Sequence, residues 1–414
     1  MSKKIELPKG WEVKELGEVC KIVTGTTPSK SVNEYYGLDF PFYKPTDLGQ
    51  GINTLKTTDG LTELGLKKGR FLPENSILVT CIGSTIGKTG LIKKAGSCNQ
   101  QINAILPNEK FISKFLYYQI ISKEFQQLII RNSASTTLPI LNKSKFEKLN
   151  IVFPPLTEQT AIVSKIEELL SDLENGKQQL LTAQAQLKVY RQSLLKWAFE
   201  GKLTNKKVKE GELPKGWKLV TMGSVCTKIG DIDHKMPKQL SEGYPYVSTK
   251  DFTNDLKISF DNAKYISEED YLNLSRKIKP ERGDIIFPRY GTIGKNILID
   301  FDKEFLVSYS CAVLKPNKDL VLSKYVYLYS LSPKISEEIR KYVVETTQAN
   351  VGIASIKSFV FPLPPLPEQT RIVEELESKL TICDKISETI SQSLLQAETL
   401  RQSILKKAFE GRLV

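Results

Sequence analysis

An internal repeat constrains the fold of this chain more than any other feature. Three motifs occur twice, 206 or 210 residues apart: LPKGW (from Leu7 and Leu213), PPLxEQTxIV (from Pro154 and Pro364) and RQSxLKxAFEGxL (from Arg191 and Arg401). Residues 154–203 align with residues 364–413 without a gap, and 21 of these 50 positions are identical. The repeat predicts two halves that share one architecture. In each half a divergent head is followed by a similar tail.

The tails carry apolar residues at every third or fourth position, which is the period of an amphipathic helix. We therefore predict two long helices that pair along this stripe as a coiled coil. The residues predicted to make the pairing are Val163, Ile166, Leu170, Leu187, Leu194, Val373, Leu376, Leu380, Leu394 and Ile404. Gly176 interrupts the first stripe and stands where the second copy has Ile386.

The predicted helices have clear ends. Pro367 suits the first helical turn, and Glu158 and Glu368 face the positive helix end. Gly201 and Gly411 are typical of the residue that follows a helix C-terminus. About 45 residues at 1.5 Å each give a rod of roughly 65 Å. Antiparallel pairing within the chain is the preferred interpretation, and pairing between two copies in a homodimer is the alternative.

The PLPPLPEQ segment also resembles a proline-rich peptide ligand, but a helix start explains both of its copies. The heads combine short apolar strands such as SILVT and DIIFP with helical runs such as KFLYYQIISKEFQQLII. We predict a mixed α+β fold, in which two globular α/β domains are joined by two long antiparallel helices with pseudo-two-fold symmetry. The predicted boundaries are 1–153 and 205–363 for the domains, and 154–204 and 364–414 for the helices.

The segment GSTIGKTG, at Gly83–Gly90, resembles a nucleotide-binding phosphate loop. That motif requires G-x-x-x-x-G-K-[ST] between a strand and a helix, and here the two glycines are one residue too close. The second copy reads YGTIGKN and lacks the hydroxyl residue that would bind Mg²⁺. A glycine turn beside a lysine can still bind a phosphate of another ligand, such as the DNA backbone. The alternative is a tight hairpin with an exposed lysine.

Composition narrows the function further. The chain has 59 Lys and Arg against 47 Asp and Glu, a net charge of +12, which favours a polyanionic partner such as nucleic acid. It has one histidine, His234, and six cysteines without a C-x-x-C pair, so neither a zinc site nor a histidine-activated nucleophile is predicted. No signal peptide or membrane span is recognised, and we expect reduced thiols and a cytoplasmic location.

If the ligand is DNA, lysines beside the glycine turns would contact phosphates, and neighbouring side chains would contact the groove. The predicted DNA-binding residues are Lys44, Thr46, Ser84, Thr85 and Lys88 in the first half, and Lys250, Arg289, Tyr290, Thr292 and Lys295 in the second. No catalytic residue and no metal ligand are predicted.

The three duplicated motifs together resemble the specificity subunit of type I restriction-modification systems, over the whole chain and in the family's order. The resemblance implies two target recognition domains, each of which reads one half of a split, non-palindromic DNA sequence. It also implies that the paired helices set the spacing and dock two methyltransferase subunits.

The resemblance implies no cofactor bound by this chain. S-adenosylmethionine, ATP and Mg²⁺ are expected on the methyltransferase subunits and on separate motor-nuclease subunits. Two other functions remain open at this point. One is a two-headed scaffold without sequence-specific DNA binding, and the other is a nucleotide-binding enzyme that uses GSTIGKTG.

Overall fold

A computed structural model describes residues 7–133, 139–205, 207–234, 236–342 and 350–414. The first six residues, which open the segment that we searched for a signal peptide, lie outside this range. Two compact units are present: unit 1 is Met1–Leu181 with Ser391–Val414, and unit 2 is Thr182–Ile390. Each unit therefore combines one head with the beginning of one long helix and the end of the other. The domain boundaries predicted from the sequence follow chain order, whereas these units follow packing.

The described residues of unit 1 form nine strands and five short α-helices before the first long helix. The strands are β1 (Glu12–Glu15), β2 (Lys21–Thr24), β3 (Tyr36–Tyr43), β4 (Asp59–Leu61), β5 (Ile77–Thr80), β6 (Thr89–Leu91), β7 (Ser97–Cys98), β8 (Ile102–Leu106) and β9 (Asn150–Phe153). The helices are α1 (Leu16–Val19), α2 (Glu63–Lys68), α3 (Ser113–Ile120), α4 (Lys123–Asn132), α5 (Lys143–Glu147) and the long α6 (Leu156–Phe199).

The strands described in unit 1 form three sheets. The largest is antiparallel with the order β2-β8-β5-β6, the second has the order β4-β3-β7 with β3 and β7 parallel, and β1 pairs with β9. The predicted helical run KFLYYQIISKEFQQLII forms two helices rather than one. Ser122 separates them, because its side chain accepts a hydrogen bond from Phe125 N–H and caps α4.

Unit 2 repeats this arrangement with a new set of elements. The strands are β10 (Lys218–Thr221), β11 (Cys226–Gly230), β12 (Tyr244–Val247), β13 (Lys264–Ile266), β14 (Ile285–Pro288), β15 (Ile297–Leu298), β16 (Leu306–Val307), β17 (Cys311–Pro316) and β18 (Val360–Leu363). The helices are α7 (Glu268–Ser275), α8 (Ser323–Ser330), α9 (Pro333–Tyr342), α10 (Ile353–Ser358) and the long α11 (Leu366–Phe409). The sheet orders are β11-β17-β14-β15, β13-β12-β16 and β10-β18, which match unit 1 strand for strand.

The helix termini pair in the antiparallel sense inside each unit. In unit 1, Val163 and Ile166 near the start of α6 share a buried cluster with Ile404 near the end of α11. In unit 2, Leu194 near the end of α6 shares a cluster with Val373 and Leu376 near the start of α11. Four predicted pairing residues are only partly buried: Leu170, Leu187, Leu380 and Leu394.

Some apolar residues of the long helices that are not among the ten predicted pairing residues are exposed. Tyr190, Ile386 and Leu400 fit the helical period but lie on the solvent side of their helices. An apolar repeat of 3.5 residues drifts by about 20° per heptad around a straight helix, so not every apolar residue of a straight 44-residue helix faces the same side.

The glutamine of the PPLxEQ motif explains why this motif occurs at both helix starts. Gln369 is fully buried. Its Oε1 accepts from Leu322 N–H at 2.9 Å, and its Nε2 donates to Leu320 O at 3.0 Å and to Pro364 O at 2.9 Å. Gln159 makes the corresponding bonds in unit 1, to Ile112 N–H and Pro154 O. One side chain thus ties each helix start to its own head.

The glycines predicted to end the helices have the backbone that this role requires. Gly201 has φ +75° and Gly411 has φ +69°. A Cβ at either residue would lie 2.1 Å from a proline of the LPKGW motif, Pro214 or Pro8 respectively. The end of each long helix is therefore packed directly against a repeated LPKGW segment.

Candidate nucleic-acid interface

The strand ends of unit 1 converge on one edge. β5 and β8 are antiparallel, so Thr80 at the end of β5 lies opposite Ile102 at the start of β8. Thr24 at the end of β2 lies opposite Asn103. Tyr43 at the end of β3 pairs with Cys98, directly before the turn that leads into β8. We call this the unit 1 edge: the loops that follow β2, β3 and β5 together with the turn Asn99–Gln101.

The GSTIGKTG segment is a hairpin on this edge. It connects β5 to β6, which pair with each other, so a strand and not a helix follows the loop. Its backbone N–H groups bind within the chain: Gly87 N donates to Thr80 O at 2.8 Å, and Lys88 N donates to Thr85 O at 3.1 Å. A phosphate loop needs these groups for its ligand and needs a helix after it. The hairpin alternative is therefore the geometry found.

The unit 1 edge brings together the five residues that the sequence proposed for DNA contact in the first half. Ser84, Thr85 and Thr46 are exposed, and Lys88 is half-exposed. The Lys88 ammonium donates to Thr46 O at 3.1 Å, and it thereby joins the β5–β6 hairpin to the loop after β3. Lys44 forms an ion pair with Asp59.

Unit 2 forms an equivalent edge, which we call the unit 2 edge. It consists of the loops after β11, β12 and β14 together with the turn Ser308–Ser310. The loop after β12 is held as in unit 1: Ser248 N donates to Asp251 Oδ2 at 2.7 Å, and Lys44 N donates to Asp47 Oδ2 at 2.8 Å. The predicted residues Lys250, Thr292 and Lys295 are exposed on this edge, and Tyr290 is half-exposed.

The position of Arg289 does not fit the DNA contact that the sequence predicted for it. Its side chain is buried and its guanidinium pairs with the buried carboxylate of Asp231. Its Nε also donates to Val351 O at 3.0 Å. This geometry disfavours a direct DNA contact by Arg289. It indicates that Arg289 stabilises the unit 2 edge from its buried side. Lys277 Nζ and His234 Nε2 also lie 3.4 Å from Asp231, so this one carboxylate is surrounded by two cationic side chains and an imidazole.

The sequence analysis did not identify one part of the candidate interface. This part is the turn that precedes β8 in unit 1 and β17 in unit 2. In unit 1 the turn contains Asn99, Gln100 and Gln101, and Asn99 Nδ2 donates to Gln101 Oε1 at 2.9 Å. In unit 2 the turn contains Tyr309, whose ring stacks on His234 with centroids 4.7 Å apart. The polar run NQQ between two apolar strands was the one signal available in the sequence.

The helices, the cysteines and the potential metal ligands also bear on the kind of protein that this chain is. Within the described ranges, no helix has the length and apolarity needed to cross a membrane. All six cysteines are free thiols, and five of them are buried. In the part of the chain that the structure covers, no cluster of three histidine, cysteine or acidic residues could hold a metal ion.

Comparison with known proteins identifies the family. The family model for the type I restriction modification DNA specificity domain matches residues 8–183 and again residues 214–396. Because these two matches cover most of the chain, the chain belongs to this family. The double match agrees with the internal repeat, and it places one family domain in each half.

Curated relatives and solved structures agree with this assignment. The EcoKI specificity subunit of Escherichia coli is 26% identical over 99% of this chain and 90% of its own length. The MjaIX specificity subunit of Methanocaldococcus jannaschii is 24% identical over 99% of this chain and 94% of its own length. The HindI specificity subunit of Haemophilus influenzae is 35% identical over 41% of this chain and 39% of its own length.

The fold is also found in solved structures. A chain from a type I restriction-modification system aligns with a TM-score of 0.75 at 21% identity, covering 98% of this chain and 99% of that chain. The HsdS subunit from Thermoanaerobacter tengcongensis aligns with a TM-score of 0.64 at 21% identity, covering 99% of both chains. These likenesses confirm the predicted fold class.

Proposed function

We propose that this chain is the DNA-specificity subunit of a type I restriction-modification complex, in which each edge reads one half of a bipartite, non-palindromic target. One observation carries the proposal: the two units have the same strand order and equivalent edges, but unlike side chains on those edges. Two identical readers related by symmetry would favour a palindrome, whereas two like frames with unlike surfaces favour two different half-sites.

The charge of the edges supports DNA as the ligand. Lys88 lies on the unit 1 edge, and Lys250 and Lys295 are exposed on the unit 2 edge, in a chain of net charge +12. Lysines of this kind contact phosphates and position a protein on the duplex, while neighbouring polar side chains read base edges. Thr46, Ser84, Thr85 and Thr292 supply hydroxyl groups beside these lysines.

The long helices set the spacing between half-sites and bind two methyltransferase subunits. Their solvent faces support this role, because large apolar side chains are exposed there in both units. Val189 and Ile382 in unit 2 are 66% and 55% exposed, and Leu395 and Leu400 in unit 1 are 73% and 51% exposed. A partner that binds along the helices would remove these apolar side chains from water, which favours association.

The chain contributes no catalytic group in this proposal. S-adenosylmethionine binds to the methyltransferase subunits, and ATP and Mg²⁺ bind to motor-nuclease subunits. The hairpin geometry of GSTIGKTG supports this division, because its Gly87 and Lys88 N–H groups are bound within the chain.

A selection from random duplex DNA tests the proposal. The chain is purified with its methyltransferase partner, the pool is bound at two salt concentrations, and the retained DNA is sequenced. We expect two unlike half-sites around a fixed unspecified gap, with affinity that falls steeply with salt because bound phosphates release counterions. A pool without a motif would favour the two-headed scaffold, and a single palindrome would contradict two different readers.

A further inference from the structure

We propose that two pairs of side chains at equivalent positions, Thr27 with Gln100 and His234 with Tyr309, determine base identity in the two half-sites. This inference rests on the proposed function and names the residues that carry it. Thr27 and Gln100 lie on the unit 1 edge, and His234 and Tyr309 lie on the unit 2 edge. The turn residue of the first pair, Gln100, reads an adenine.

The strand registers make Gln100 and Tyr309 equivalent. Gln100 is the middle residue of the three-residue turn between β7 and β8. Tyr309 is the middle residue of the three-residue turn between β16 and β17. Before the turn, Cys98 pairs with Tyr43, and Val307 pairs with Val247. The turn is closed by the same backbone bond in both units, from Ile102 N to Asn99 O at 3.2 Å and from Cys311 N to Ser308 O at 2.9 Å.

After the turn, the strands are also in register. Ile102 at the start of β8 lies opposite Thr80, and Cys311 at the start of β17 lies opposite Pro288. The outer strands, β2 and β11, can be aligned through the same register. Thr24 lies opposite Asn103, and Asp231 follows Gly230, which lies opposite Val313. Asp231 therefore occupies in unit 2 the place that Thr24 occupies in unit 1.

The second member of each pair then follows at the same distance along the chain. Thr27 is three residues beyond Thr24, and His234 is three residues beyond Asp231. Thr27 Oγ1 donates to Gln100 Oε1 at 2.5 Å, and the His234 ring stacks on Tyr309. The same two positions thus touch in both units, but a hydroxyl–amide pair in one is replaced by a ring–ring pair in the other.

The residues that support these two pairs also differ between the units. Arg289 N donates to Ser310 O at 2.8 Å, and Cys81 N donates to Gln101 O at 2.7 Å, so Arg289 takes the place of Cys81. In unit 1 the neighbouring contact is a hydrogen bond of 2.8 Å from Thr24 Oγ1 to Asn103 Oδ1. In unit 2 it is the buried ion pair of Asp231 with Arg289, which acts as a positioning pair for His234.

The chemistry of Gln100 suits adenine. An amide offers one acceptor and one donor side by side, which match N6 and N7 of adenine in the major groove. Gln100 is exposed, and its Oε1 keeps a second lone pair when Thr27 donates to it. The His234 and Tyr309 rings offer a ring nitrogen and a phenol instead, so unit 2 recognises a different base pattern.

The test is a selection from random duplex DNA with the assembled complex, for the wild-type chain and for Gln100→Ala, Tyr309→Phe and His234→Ala. Gln127→Ala, at an exposed position of α4 outside the unit 1 edge, is the matched control. For Gln100→Ala we expect discrimination at one adenine of the first half-site to fall by about 5- to 150-fold. The second half-site and the salt dependence should be unchanged. Tyr309→Phe and His234→Ala should relax one position of the second half-site only.

The outcomes separate this inference from the proposed function. A split motif that Gln100→Ala leaves unaltered would overturn the base-reading role while the proposed function stands. A uniform loss of affinity at all positions would also overturn it, because that is the effect of a phosphate contact or of a folding defect. Hydrogen exchange of β2 and β8 identifies the folding defect. A wild-type pool without a split motif would refute the proposed function itself.

Discussion

Replacing Arg289 by Met tests whether this residue supports the unit 2 edge or touches DNA. The substitution removes the guanidinium that pairs with Asp231, and Asp231 is itself buried. Breaking one partner of a buried ion pair costs about 3–5 kcal/mol, because the remaining charge is left in a poor solvent. Lys277 Nζ, 3.4 Å from Asp231, compensates in part, so we expect the lower end of this range.

The lost hydrogen bond from Arg289 Nε to Val351 O adds about 1 kcal/mol. The expected destabilisation of unit 2 is therefore about 3–4 kcal/mol, a shift of several hundredfold in its unfolding equilibrium. Hydrogen exchange of peptides from β14 and β17 measures this change within unit 2. Peptides from β5 and β8 serve as the internal reference for unit 1.

Two further variants sharpen the result. Arg282→Met makes the same substitution in an exposed ion pair, 3.0 Å from Asp302, and should change stability by less than about 1 kcal/mol. The double variant Arg289→Met with Asp231→Leu removes both charges and should recover most of the loss. If Arg289→Met leaves stability unchanged but abolishes recognition of the second half-site, then Arg289 contacts DNA and our interpretation of the buried pair is wrong.

Three other predictions follow from the same geometry. Gln369→Leu should destabilise unit 2 by about 2–4 kcal/mol, because the partly buried Leu322 N–H and two carbonyls lose their partner. Gln159→Leu should destabilise unit 1 in the same direction, because the Ile112 N–H and one carbonyl lose theirs. Hydrogen exchange of β10 and β1 peptides reports each effect. Burial raises the pKa of the Cys81 and Cys311 thiols to about 12, so at pH 8 both should react with a thiol reagent only after urea unfolding. Lys295→Ala should weaken DNA binding equally for all sequences and reduce the salt slope by about 1, measured by titration at several salt concentrations.

The long helices could be predicted closely from the sequence because their signals are local. Apolar periodicity, a proline near the start and a glycine past the end all lie within the segment itself. The predicted tails at 154–204 and 364–414 contain α6 and α11 with a few residues to spare at each end. The hairpin after β5 was one of two interpretations of GSTIGKTG, and only the strand that follows it decided between them.

The edges could not be predicted in the same way because their contacts join distant residues. Thr27 meets Gln100 across 73 positions, and Asp231 meets Arg289 across 58. Strand register creates both contacts, and periodicity within one segment carries no information about register between strands. For the same reason a lysine or arginine near a glycine turn looks alike in sequence whether it is exposed, as Lys295 is, or buried, as Arg289 is.

Under the proposed function, the two edges explain how one backbone frame could carry two specificities. Backbone hydrogen bonds build the frame, and these bonds do not depend on the side chain: Leu141 N donates to Cys81 O at 2.8 Å in unit 1, and Val351 N donates to Arg289 O at 3.0 Å in unit 2. A cysteine and an arginine therefore occupy the same place without altering the strands around them. The side chains above this frame can change while the buried glutamines still hold each helix start to its head. In such a molecule, substitutions on one edge should change one half-site and leave the spacing between half-sites intact, because different residues determine the two properties.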